Sequence, residues 1–97
     1  MTGRGGEPAA RRFLVSGRVQ GVGFRFSAQH AATDLRIAGW ARNLPDGRVE
    51  VHLQGERGAM QAMVDWLGRG PAGAEVASVE EVPAAVEPGL ASFTVRR

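Results

Sequence analysis

Residues 12–35 read RFLVSGRVQGVGFRFSAQHAATDL, and a change of period inside this stretch decides the fold. From Arg12 to Gln20, Phe13, Val15 and Val19 recur at even spacing with Gly17 between them, as a half-buried strand requires. From Phe24 onward, Phe24, Ala28, Ala31, Ala32 and Leu35 follow the i, i+4, i+7, i+8, i+11 stripe of an amphipathic helix. A strand therefore passes into a helix through Gly21-Val22-Gly23.

Reading outward, Ile37 to Leu44 (IAGWARNL) predicts a second strand, and Pro45-Asp46-Gly47 carries turn chemistry at each position. Arg48 to Gln54 alternates most clearly: Val49, Val51 and Leu53 face one way, Arg48, Glu50, His52 and Gln54 the other. This strand is expected to keep its polar face wet. Met60, Met63, Val64 and Leu67 form a second helical stripe, with the methionines as core filler, and Gly68 to Gly73 (GRGPAG) stops it. Glu75 to Val82 reads as a bulged fourth strand and Ser92 to Arg96 as a fifth. The order β-α-β-β-α-β with an extra terminal strand predicts an α+β, ferredoxin-like sandwich: a mainly antiparallel sheet with two helices on one face.

At 97 residues the chain has room for one small domain. Residues 1–10, MTGRGGEPAA, carry Gly and Pro but no apolar stretch. They are expected to form a flexible tail, neither secretory signal nor anchor, before a domain over residues 11–97. No run approaches the roughly 20 apolar residues of a membrane span, so a cytoplasmic, monomeric protein without membrane attachment is expected.

Missing residue types exclude much chemistry. All twelve basic residues are Arg, and Lys, Tyr and Cys are absent. That removes thiol nucleophiles, disulfides, cysteine zinc sites, Schiff bases and the Walker A loop. His30 and His52, the only imidazoles, belong to no HExxH or HxxxH pair, so neither metal nor any other cofactor is expected. His30 falls on the polar side of the first helix and His52 on the wet side of strand three, away from catalysis. Glu80 and Glu81 are adjacent, so on a regular strand they face opposite ways and make no acid-base pair. The pI of about 11.0 overstates the field, because the net charge is only +2. No group titrates between pH 8 and the arginines to bring the charge down sooner. Nucleic-acid binding does not follow from it.

The strand-to-helix turn is where phosphate would bind. First-turn N–H groups have no intrahelical partner, and Gly21 and Gly23 permit conformations that turn several amides toward one anion. Arg25 lies in that first turn, where the positive end of the helix dipole disfavours a cation by roughly 0.3–1 kcal/mol. An oxyanion between the amides and a bidentate guanidinium would reverse that sign. Read by themselves, the glycines are first a sharp turn, and Asn43, two residues before Pro45, is first a strand-end or turn amide.

Gly17 to Arg25 (GRVQGVGFR), together with Gly39-Trp40-Ala41-Arg42-Asn43 and Asp46-Gly47-Arg48-Val49-Glu50, resembles the paired signature of the acylphosphatase family. The similarity runs from about Phe13 to Val95 and includes Gly70-Pro71. The resemblance implies hydrolysis of a small acyl phosphate to a carboxylate and inorganic phosphate, without metal. It implies that the backbone of Gln20, Gly21, Val22, Gly23 and Phe24, with Arg25, holds the phosphoryl group while Asn43 positions the attacking water. A second strand lying beside the first would bring Asn43 to the cradle. Phe26 points off the apolar stripe, either toward the acyl side of the pocket or as an exposed flank. Two other classes share the sandwich: a catalytically silent anion-binding or interaction domain, and an RRM-like nucleic-acid module. The RRM reading expects stacking aromatics where strand three has Arg-Val-Glu-Val-His-Leu-Gln.

Overall fold

The computed structural model describes residues 9–97. Seven elements follow in order: β1 (Ala9–Arg18), α1 (Phe24–Asp34), β2 (Ala38–Asn43), β3 (Val49–Gly55), α2 (Arg57–Arg69), β4 (Glu75–Val82) and β5 (Phe93–Arg96). The strands form one sheet in the order β4-β1-β3-β2-β5. Every neighbouring pair is antiparallel except β2 and β5, which run parallel. The fold is the ferredoxin-like sandwich, a mainly antiparallel sheet with two helices, that the alternation of periods predicts. The expected tail, residues 1–10, lies outside the described residues as far as residue 8. Ala9 and Ala10 instead open β1, opposite Gly55 and Gln54.

One face of the sheet is apolar because the strands alternate. Phe13 and Val15 of β1 and Val49, Val51 and Leu53 of β3 meet Phe24, Ala28 and Ala32 of α1 and Met60, Met63 and Leu67 of α2. Each large side chain removed from water here contributes about 1.5–3 kcal/mol. The expected bulge is present: between Ser16 and Gly17 the partner in β4 jumps from Ser78 to Val76, leaving Ala77 over.

α1 ends in a Schellman turn, with the Ile37 N–H donating to the Ala32 carbonyl (2.8 Å) and the Arg36 N–H to that of Thr33 (3.1 Å). Arg36 takes the left-handed position (φ 59°) where glycine is usual. That turn reverses the chain into β2.

The other face corrects the expectation of a wet surface on strand three. His52 is fully buried and Glu50 is 9% exposed. Trp40 of β2 stacks on the His52 ring, 5.5 Å between centroids and 11° between planes. Arg12 of β1 donates to His52 Nδ1 at 3.1–3.2 Å. A guanidinium can only donate, so the proton of a neutral His52 sits on Nε2, which reaches Gln54 Oε1 at 2.8 Å. Glu50 takes Arg42 Nε at 2.6 Å.

The segment between β4 and β5 closes over this cluster through Glu87. Its carboxylate accepts from Trp40 Nε1 and Arg12 Nη2, both at 3.0 Å. Its backbone N–H donates to Gln54 Oε1, and its carbonyl accepts from Gln54 Nε2 at 3.2 Å. The Trp40 N–H, with the charges of Arg12 and Arg96 nearby, holds the Glu87 carboxyl below the usual range. Alternation identified the polar residues correctly; pairing among them, under a strap without periodicity, took them out of water.

Candidate active site

β1 and β2 are not neighbours, so the direct adjacency under which Asn43 would reach the cradle is not met. β3 lies between them and pairs antiparallel with both. β1 and β2 therefore run parallel, and their C-terminal ends share one edge of the sheet. Val15, Val49 and Asn43 lie side by side across the three strands, which places Asn43 about 10 Å from β1. The chain leaving β1 covers that gap, turning through residues 19–23 into α1.

Three positive charges or dipoles converge there. Gly21 and Gly23 both take positive φ (77° and 75°), whereas Val22 and Phe24 do not. Alternating signs of φ aim successive N–H groups to one side, the arrangement of an anion-binding nest. A Cβ at either glycine would meet nothing within 4 Å, so backbone conformation, not crowding, demands glycine here. α1 begins at Gly23 without a side-chain cap and without an acidic residue in its first turn. Its first intrahelical bond runs from the Ser27 N–H to the Gly23 carbonyl, 3.0 Å, leaving the N–H groups of residues 24–26 without intrahelical partners.

Arg25 is the third contribution. Like Arg36, Arg57, Arg69 and Arg97, it has no carboxylate within 4.0 Å among the described residues, and it alone of these lies beside the uncapped start of α1. Its Nη1 donates instead to the backbone carbonyl of Arg96 on β5, 2.8 Å. That bond orients the guanidinium without neutralising it.

Asn43 ends β2, half-buried, and its carboxamide has no hydrogen-bond partner among the described residues. The turn after it is fixed. Leu44 N–H donates to the Arg48 carbonyl (2.8 Å) and Gly47 N–H to that of Leu44 (3.1 Å). Asp46 accepts from the Arg48 N–H (3.0 Å) and from Arg48 Nε (2.8 Å). These bonds, the backbone one first, hold the Asp46 carboxyl below its ordinary range. The Gln20 side chain ties this turn to the cradle, donating to the carbonyls of Leu44 (2.8 Å) and Arg48 (3.0 Å).

Gly21, Gly23, Phe24, Arg25 and Asn43, with Val19 and Phe26, line one hollow of about 120 Å³. Gln20 and Val22, expected in the cradle, do not line it. Larger and more open hollows lie elsewhere, among them one of about 280 Å³ beside Arg36 and Phe93 and one of about 350 Å³ beside Arg11 and Met60. The first also holds Arg36 and the second Arg57, but neither includes the Gly21–Gly23 turn or an uncapped helix start. His30 is exposed on α1, and Glu81 is held by Arg11 at 2.7 and 2.9 Å, so neither enters the site. Two contributors escaped the sequence reading, the Arg96 carbonyl and the Gln20 carboxamide. A backbone acceptor on a distant strand leaves no trace in residue types, whereas a polar side chain between strand and nest was at least visible.

A family model described as Acylphosphatase matches residues 11–95. The acylphosphatase of Pseudomonas aeruginosa is 52% identical over 83 residues, covering 86% of this chain and 90% of that protein. Among solved structures, an acylphosphatase from Coxiella burnetii superposes with a TM-score of 0.88 at 38% identity, over 99% of this chain and 100% of that one. The acylphosphatase from Bacillus subtilis gives 0.86 at 33% identity, over 94% and 100%. No helix among the described residues is long and apolar enough to cross a membrane.

Proposed function

Because the chain belongs to the acylphosphatase family, we propose that it hydrolyses acyl phosphates at the hollow between the β1–α1 turn and the end of β2. The observation that carries this reading is the meeting of a nest of N–H groups, an unpaired guanidinium and an unpartnered carboxamide in one small cavity.

The phosphoryl oxygens lie against N–H groups of the backbone run from Gln20 to Phe24, chiefly those of Gly21, Gly23 and Phe24, which line the hollow, with the Arg25 guanidinium as a planar fork. Asn43 holds a water in line with the bond to be broken. The water oxygen bonds to phosphorus, the bond from phosphorus to the acyl oxygen breaks, and the carboxylate leaves with the electron pair. The water's proton passes to a phosphate oxygen. A carboxylate whose conjugate acid has a pKa near 4 needs no strong general acid. Charge spread over the equatorial oxygens is met by dipoles and a guanidinium already in place. Nothing in this scheme calls on a metal or a covalent intermediate, and the substrate is a small molecule, not nucleic acid.

The test is hydrolysis of benzoyl phosphate by the purified protein in EDTA, with Asn43→Ala as matched control. Rapid turnover that the substitution lowers by about 10² is the expected result. A folded wild-type protein that binds phosphate and leaves the substrate intact would make this an anion-binding relative instead. Turnover restored only by added divalent metal would remove the metal-free scheme.

A further inference from the structure

A hollow of about 120 Å³ is well below the roughly 300–1,000 Å³ that encloses a whole organic ligand. If the phosphoryl group fills it, the acyl group must project across the rim. On that rim stands Phe26, 58% exposed. The other apolar residues of the wall, Val19 and Phe24, are 1% exposed and already packed into the core. Phe26 follows Arg25 in the first turn of α1 and lies outside the core cluster. It is thus the open apolar surface beside the cation.

We propose that Phe26 is a specificity-determining residue that favours aromatic and other bulky apolar acyl groups over acetyl; this rests on the hydrolase reading above. A ring or hydrocarbon chain leaving the cradle covers the exposed face of Phe26, and both surfaces leave water together. A second aromatic ring adds the preference of ring pairs for offset or edge-on contact. Acetyl offers one methyl group and gains little from either effect. The phosphoryl contacts are the same for every substrate, so discrimination among acyl groups falls to the rim.

The experiment compares kcat/KM for benzoyl phosphate and acetyl phosphate in the wild-type protein, Phe26→Ala and Phe26→Leu, with inhibition by inorganic phosphate measured alongside. The benzoyl to acetyl ratio is expected to fall on the order of tenfold in Phe26→Ala, chiefly through KM. Phe26→Leu should retain part of it, and the inhibition constant for inorganic phosphate should move far less than the ratio. An unchanged ratio overturns the proposal. Equal losses on both substrates overturn it as well, since Phe26 would then be serving the cradle or the fold.

Binding of benzylphosphonate and methylphosphonate, followed by calorimetry, separates this inference from the hydrolase reading. A wild-type protein inert toward both substrates would end the hydrolase reading. A benzyl preference lost in Phe26→Ala would still uphold the role of Phe26, and no benzyl preference would overturn it.

Discussion

The two helices begin in opposite ways. α2 opens behind Glu56, in extended conformation, whose carboxylate accepts the Ala59 N–H at 2.9 Å. α1 opens behind Gly23 in the left-handed region, with no side-chain cap and with Arg25 in its first turn. At α2 a side chain satisfies an orphan donor, and its negative charge suits the helix dipole. At α1 the donors stay open and the nearby charge has the wrong sign for an empty helix end. The same chain can cap a helix where stability is all that is required, so the open end of α1 supports the proposal that an anion binds there.

Four substitutions sharpen or break this contrast. Arg25→Lys keeps the charge but removes the planar fork and the geometry of its bond to the Arg96 carbonyl. The expected loss in kcat/KM for benzoyl phosphate is on the order of 10²–10³, and near-normal turnover would take Arg25 out of the mechanism. Asn43→Ala should lower kcat by about 10² through misplaced water while leaving phosphate inhibition nearly constant. Parallel losses in both would mean that the β2–β3 turn, rather than the water, had been damaged.

Gly23→Ala forces a side chain into φ 75° with open space around it, at a strain of about 1–2 kcal/mol. Thermal unfolding should shift down by about 4–8 °C per kcal/mol for a domain of this size, and weaker phosphate inhibition should accompany it. An unshifted midpoint would show that the turn relaxes at no cost.

Glu56→Gln gives the smallest effect. The Glu56 carboxyl is held below its ordinary value of 4.5, first by the Ala59 N–H and then by that of Gly58. Its contribution is therefore present above pH 4.5 and is lost as pH falls through the lower folded value. Asp46, Glu81 and Glu87 are depressed in the same direction, so wild-type thermal stability falls in acid. The Glu56→Gln protein should lose less between pH 6 and about pH 3, with phosphate affinity equal to wild type at pH 6. Identical acid profiles would remove Glu56 from the account of α2.

What could be read from the sequence follows the range of the interaction. The switch from period two to the helical stripe at Phe24 is local, and so is the glycine spacing that makes the nest. Both were legible, and with them the fold class. The position of β3 between β1 and β2 is set by pairing across the whole chain, so the residues around Asn43 carry no sign of which strand separates it from the cradle. His52 and Glu50 looked wet because polar alternation describes a face and not what covers it. Glu50 is paired with Arg42 and faces Arg12, and the Trp40–His52–Arg12 cluster is closed by the segment around Glu87, which contains Pro83 and Pro88 and has no period to read.

The bond from Arg25 to the Arg96 carbonyl joins residues 71 apart in sequence, and the acceptor belongs to a four-residue strand at the edge of the sheet. β5 is held by its pairing with β2, and Arg96 by its guanidinium, 4.6 Å over the Trp40 ring and 3.9 Å from Glu87. The edge of a sheet opens more readily than its centre. The alignment of the guanidinium therefore depends on this short strand staying closed, and the polar cluster on the far face braces it from behind.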